Sequence, residues 1–354
     1  MRAAIFYGGK DIRVEDVPDP APGDGEVLVR IGAAGVCGSD LHPYRGAPMP
    51  PSAIPWPRRS GHELAGTVVA LGAGVTSVGV GQRVAVEPMH LVGCGACSAC
   101  RRGDYHVCPT RGVRNGERRF SGGFSELDTV VAENVYPLPD HVSVDEASLL
   151  DVYGCGVHAI HRVPFRASDY VGVVGTGPIG MTMGQVARAA GARAVIMIGR
   201  RDALLRTALD VGAADLVVNN TAGSSVAEEI ADLTGGAGCA VVYESVGGQA
   251  ETVAQSIEAA SFGGRVGIIG AFWGDLPIPS RAAMAKEVDL RWCNSYASWE
   301  GERELQIALD MLAAGRLNAR PLITHRFPLT EIAQAFEAAD DKRASGALKV
   351  IVQP

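Results

Sequence analysis

Four cysteines within one fifteen-residue stretch constrain this chain more than any other feature of it. Cys94, Cys97, Cys100 and Cys108 stand in CGACSACRRGDYHVC, with two residues between each of the first three and seven between the third and the fourth. A single loop with these spacings can fold four thiolates around one tetrahedral ion, and zinc takes such a closed all-sulfur shell where its role is structural. Disulfides are the competing reading. Bridges between cysteines this close are awkward to form within the loop. The start of the chain, MRAAIFYGGK, breaks at Gly8-Gly9 and reads as a strand and turn, not as an export signal. A cytoplasmic, reducing setting is therefore expected, and there the eight cysteines favour metal or catalysis over disulfides. A structural zinc lobe is expected at about residues 93–109.

A metal-stapled loop in a chain of 354 residues belongs to something larger, since this length suffices for two domains with separate cores. A net charge of −7 argues against nucleic acid as a partner, because no basic excess meets a polyanion. No run of 18 apolar residues is present, so no membrane span is expected. The partner left is a small molecule.

Texture divides the chain. The first 150 residues are punctuated by Gly and Pro and carry short β-type runs, among them Glu26 to Ile31, Gly66 to Ala70 and Arg83 to Val86. Val144 to Val163 reads as one helix ahead of Pro164. From Tyr170 onward, apolar strands (VGVVG, AVIMIG, DLVVN, AVVYE, RVGIIG) alternate with amphipathic helices, the signature of a parallel sheet covered on both faces. The tail from about Leu290 ends in the strand-like LKVIV, and its natural closure is a return to the first domain.

Gly175-Thr176-Gly177-Pro178-Ile179-Gly180 fits G-x-G-x-x-G between a predicted strand and a predicted helix, the context that makes this motif specific. The glycines permit a tight turn and the close approach of a pyrophosphate, and the helix N-terminus offers free N–H groups to it. At the end of the next strand, NAD sites place an acid for the ribose hydroxyls. Here Gly199-Arg200-Arg201 stands instead. The glycine leaves room for a 2′-phosphate and the arginines can pair with it, so NADP is expected over NAD. Asp202 is expected to be the N-cap of the following helix.

Two further clusters lie in the β-rich part, GVCGSDLH at Gly35 to His42 and GHELAG at Gly61 to Gly66. Cys37 and His62 form a mixed sulfur and nitrogen pair suited to zinc, and Glu63 or a distant acid can complete the shell while one position stays open. Each is ambiguous alone, since a lone Cys is more often a small buried hydrophobe.

Taken together and in order, GVCGSDLH, the GHE-x2-G-x5-G-x2-V stretch from Gly61 to Val75, the four-cysteine lobe, GTGPIG and the late ITHRF at Ile323 to Phe327 resemble the zinc-dependent medium-chain alcohol dehydrogenases. That family includes polyol, secondary-alcohol and threonine dehydrogenases, and the resemblance spans essentially the whole chain. It implies a GroES-like, β-rich catalytic domain from residues 1–151 and 290–354, and a Rossmann α/β domain with a doubly wound parallel sheet from 152–289. It places Cys37 and His62 on a catalytic zinc, with Asp151 at the third-ligand position and His158 seven residues on. Glu63 can share the ligand role, and Cys155 competes with Asp151. The resemblance also implies Ser39 and His42 as a proton relay, Asp40 as the partner of the His62 ring, two zinc ions per chain, and a homodimer or homotetramer.

The function implied is hydride transfer between a zinc-bound secondary alcohol or polyol and NADP(H). Two alternatives stand beside it: a threonine-type dehydrogenase using NAD, and, from another class, a zinc-ribbon binding protein without catalysis, against which the intact nucleotide loop argues. Tyr44, Trp56, Met89, Phe272, Trp273 and Trp299 are candidate pocket residues by their place among the motifs alone.

Overall fold

The computed structural model describes residues 1–47, 54–114, 117–118, 121–221, 225–248, 250–272 and 274–354, so Trp273 lies outside the described residues. The chain forms two compact units. The first comprises Met1–Asp151, Glu300–Leu309 and Ala319–Pro354, and the second Val152–Trp299 and Asp310–Asn318.

The first unit is built on a seven-stranded sheet. Its centre is Glu26–Gly35, where alternating apolar residues turn Val27, Val29 and Ile31 into the core. Antiparallel neighbours are Glu63–Leu71, Leu127–Val131 and the last strand of the chain, Lys349–Gln353, which also runs parallel to Ile323–Pro328. The tail therefore completes the sheet that the head begins. Register decides what meets at the end of the central strand: Gly35 is paired with Glu63 on one side and with Ile351 on the other. Cys37 follows two residues later, so residues from three remote parts of the sequence converge there.

The main sheet of the second unit has six strands among the described residues, all parallel, in the spatial order Leu216–Asn219, Ala194–Gly199, Tyr170–Val174, Cys239–Glu244, Ala260–Ile268, Asp289–Trp292. Numbered along the chain this is 3-2-1-4-5-6, the doubly wound dinucleotide-binding order. Its strands are apolar on both faces, as sheets flanked by helices require. The expected fold class is met in both units.

Two local expectations are corrected. The stretch expected as one helix is two, Val144–Ala147 and Leu150–Arg162. The first is closed early because the Ser148 hydroxyl donates back to the Asp145 carbonyl, a local bond that competes with helix propagation. The N-cap of Asp202–Asp210 is Arg201, not Asp202. Asp202 is already helical and its carboxylate accepts from the Asn219 amide at 2.5 Å.

Candidate metal and cofactor sites

The cysteine lobe assembles as its spacing demands. Cys94, Cys97, Cys100 and Cys108 bring their sulfurs within 4.8 Å of one another, and Cys94 and Cys100 lie 4.0 Å apart. Four sulfurs at about 2.3 Å from a tetrahedral zinc would stand roughly 3.8 Å apart, so the donor set fits that ion. The loop supports thiolates with its own amides: Cys94 N–H donates to Cys108 Sγ at 3.4 Å, Cys97 N–H to Cys94 Sγ at 3.3 Å, and Cys100 N–H to Cys97 Sγ at 3.4 Å. Amides of Ala96 and Cys97 draw the Cys94 thiol down to about 6, whereas burial pushes Cys100 up to about 12.

A network that sequence reasoning missed anchors this lobe. Glu87 is fully buried and accepts from Tyr105 and Tyr136 hydroxyls, both at 2.5 Å, and from Arg303 at 2.7 Å. Tyr105 lies between the third and fourth cysteines, with the Arg303 guanidinium 4.8 Å above its ring. Burial raises both tyrosines, with the Glu87 charge adding to it.

The second cluster comes from the convergence at Gly35. Cys37, His62 and Glu63 bring one donor atom each within 4.8 Å of one another. Asp151 and Cys155 are in neither of the two clusters among the described residues. Cys37 is the N-cap of the short helix Gly38–Tyr44, whose first turn carries Ser39 and Asp40. Ser39 Oγ lies 3.3 Å from His62 Nε2. Asp40 Oδ1 lies 3.7 Å from His62 Nδ1, an ion-pair distance and too long for a hydrogen bond. The Asp40 carboxylate instead accepts from Ser60 Oγ and from the Cys37 amide, both at 3.0 Å. Burial works to lower His62, but the charges of Asp40, Cys37 and Asp151 outweigh it and hold the ring well above its ordinary value. Sulfur, nitrogen and carboxylate donors gathered in this way suit zinc.

His42 lies beyond the cluster and is lowered by partial burial and by Arg45, which leaves it neutral near pH 7. Two more residues at this site went unread. His90 sits edge-on to His62 with ring centroids 5.7 Å apart, and withdrawal from water, with His62 and Arg111, lowers it to about 3. Lys349 pairs with Glu63, both side chains being 1% exposed. A lysine inside the otherwise apolar LKVIV was the available signal, since lysine is seldom buried unless paired.

Most aromatic candidates are packing. Tyr44 and Met89 belong to the core of the first unit and Phe272 packs on that of the second, while Trp56 stacks on Phe6 and under Arg58. Trp299 lies against His161 with centroids 3.5 Å apart.

In the second unit Gly175 turns at φ +116°, where a Cβ would meet Ser245 Oγ at 2.6 Å and Val246 Cγ2 at 2.7 Å. Gly177 then caps the helix Pro178–Ala189, leaving its first N–H groups for a phosphate. Thr176 is buried, and Arg200 and Arg201 are exposed beside the buried Gly199. A Cβ on Gly199 would meet Thr176 Cγ2 at 2.6 Å and Leu205 Cδ2 at 3.2 Å. Room at this position is thus already taken by the stiff β-branched side chain of Thr176, from the glycine turn.

Residues 23–140 match the alcohol dehydrogenase GroES-like domain, and residues 178–314 match the zinc-binding dehydrogenase domain. This chain belongs to the zinc-dependent medium-chain alcohol dehydrogenases. Among the relatives of this dehydrogenase, an L-idonate 5-dehydrogenase of Vitis vinifera is 31% identical over 99% of this chain and 93% of its own. An L-threonine 3-dehydrogenase of Saccharopolyspora erythraea is 34% identical over 99% and 98%. A crystal structure of an alcohol dehydrogenase from Escherichia coli CFT073 in complex with NADH superposes with a TM-score of 0.87 at 28% identity, covering 100% of this chain and 99% of that one. The chain is an oxidoreductase of the alcohol and polyol type, and no helix among its described residues is long and apolar enough to cross a membrane.

Proposed function

We propose that this dehydrogenase oxidises a secondary alcohol or polyol with NADP, using one zinc held by Cys37, His62 and Glu63 and keeping a second in the cysteine lobe. The observation that carries the reading is the approach of Cys37, His62 and Glu63 within 4.8 Å, with the Ser39 hydroxyl 3.3 Å from His62. Asp151 lies outside that cluster, and as a donor it is the alternative to Glu63. Zinc there would polarise the substrate hydroxyl and lower its pKa. Ser39 takes the hydroxyl proton, and His42, neutral at working pH, passes it outward. Asp40, 3.7 Å from His62 Nδ1, would hold that ring by charge and so help it serve as a ligand.

With the space at Gly199 filled by Thr176, the NADP preference rests on the exposed Arg200 and Arg201. One charge-assisted bond to the 2′-phosphate is worth about 1.5–3 kcal/mol, so NADPH should bind at least about tenfold tighter than NADH, and less so as salt rises. Fluorescence titration of both reduced cofactors checks this, and tighter binding of NADH would defeat it. Because Thr176 fills the space beside Gly199, a carboxylate placed there has no room to meet the ribose of NAD. Gly199→Asp alone should weaken both cofactors, and Thr176→Ala with Gly199→Asp should recover NADH binding.

Substrate class is tested with a panel of secondary alcohols, polyols, sugars and threonine under both cofactors. Turnover of threonine with NAD, and of nothing else, would favour the second reading, to which the S. erythraea relative lends weight. A cytoplasmic homodimer or homotetramer accompanies the main reading, and sedimentation of the purified protein would tell the two assemblies apart.

A further inference from the structure

The cluster proposed to receive a metal already contains a cation. Lys349 Nζ pairs with Glu63 Oε2 and also donates to the Val36 carbonyl at 3.1 Å, one residue before Cys37. One buried ammonium thereby ties the segment that carries Cys37 to the segment that carries His62 and Glu63. The backbone makes room for it: a Cβ at Gly35 would come within 2.8 Å of Lys349 Cε and 3.1 Å of its Nζ, and would strike Glu63 Oε2 as well. Pairing of Gly35 with both Glu63 and Ile351 sets this geometry from the sheet itself.

A buried carboxylate without a partner is costly, and Lys349 removes that cost when no metal is bound. A divalent ion among Cys37, His62 and Glu63 would draw on the same carboxylate and stand close to the same ammonium, where like charges repel. We propose that Lys349 is a positioning residue that competes with the metal for Glu63. It holds the ligand cluster together in the metal-free chain and weakens the hold of that cluster on the metal once bound. This rests on the reading that Cys37, His62 and Glu63 form the second zinc site. Linkage then gives the sign. Lys349 stabilises the metal-free state more than the metal-bound state, so removing it must tighten metal binding by the difference.

The experiment follows zinc leaving the full-length, zinc-loaded protein into a chromogenic chelator, in wild type, Lys349→Met, Lys349→Arg, Glu63→Gln and the Glu63→Gln/Lys349→Met double variant. Two zincs per chain are expected from wild type in two phases, with the lobe phase common to all five proteins. In Lys349→Met the other phase should slow by about tenfold or more. Lys349→Arg should follow wild type, because the cation is kept. In the Glu63→Gln background, loss of Lys349 should change release several-fold less than it does with Glu63 present. Metal-stripped Lys349→Met should melt below metal-stripped wild type by a wider margin than separates the loaded proteins. If Lys349→Met folds only when loaded, that is the same result in its extreme form. Equal or faster release from Lys349→Met, or an undiminished Lys349 effect without Glu63, would overturn the inference alone. One zinc per wild-type chain would overturn the metal reading and the inference with it.

Discussion

The two cysteine-containing clusters of this dehydrogenase are built by opposite means. The lobe takes all four donors from residues 94–108 and supports them with amides of the same loop. The other cluster takes Cys37 from the end of one strand, His62 and Glu63 from the start of its neighbour, and a counter-cation from Lys349, 286 residues beyond Glu63. Beyond its own amides and the Glu87 network, a local donor set relies on a metal for its shape, so there metal binding would be folding free energy. A donor set fixed by sheet register stands ready before any metal arrives, so its loss costs chemistry and not the fold. The two clusters should therefore fail differently, and that difference can be measured.

Cys37→Ser is expected to have the largest effect on turnover. It should lower kcat/KM by about 10³-fold or more while shifting the melting temperature only slightly, with zinc content falling from two to about one per chain. Kinetics, calorimetry and metal analysis on one preparation check all three. A collapse of the fold would show that the Cys37, His62 and Glu63 cluster needs a metal to hold its shape.

Cys97→Ser should reverse the pattern. It removes the other zinc and costs on the order of 4 kcal/mol of stability, read as an early unfolding transition and easier proteolysis around residues 93–109. Retention of wild-type melting behaviour would mean that the Glu87, Tyr105 and Arg303 network holds the lobe without metal.

His42→Ala touches neither donor set. The rate near neutral pH should fall roughly 10- to 100-fold with zinc content unchanged. Because burial and Arg45 lower His42, its neutral, proton-accepting form persists to more acidic pH than an ordinary histidine's. The acidic limb of the wild-type profile should accordingly lie below pH 6.5, the ordinary histidine value. The deficit of the variant should narrow at high pH or with added imidazole, and an unaltered pH–rate profile would take His42 out of the relay.

Tyr105→Phe is the gentlest probe. It deletes one of three bonds to the buried Glu87 carboxylate and should cost about 1–3 kcal/mol in denaturant unfolding, with both zincs retained. No change in the unfolding midpoint would mean that Tyr136 and Arg303 satisfy Glu87 by themselves.

Much of this was legible along the chain, and each part of it was local. Cysteine spacing spelled out the lobe, because two intervening residues let consecutive sulfurs gather within 4.8 Å of one another. G-x-G-x-x-G between an apolar strand and a helix spelled out the tight glycine turn that caps the helix, and continuous apolar strands spelled out a sheet buried on both faces. What the tertiary structure alone decided depends on register and on side chains far apart in sequence. Pairing of Gly35 with Glu63 and Ile351 brings Lys349 to the metal cluster, and no local pattern encodes which residues a strand will face. Glu87 finds Arg303 in the same way. At Gly199 the sequence announces a missing side chain, but that Thr176 already fills the gap is a matter of ångströms between two loops. Spacing determines what a segment can do by itself, whereas close packing across strands determines which charges and methyl groups share a space, and that is settled only when the whole sheet closes.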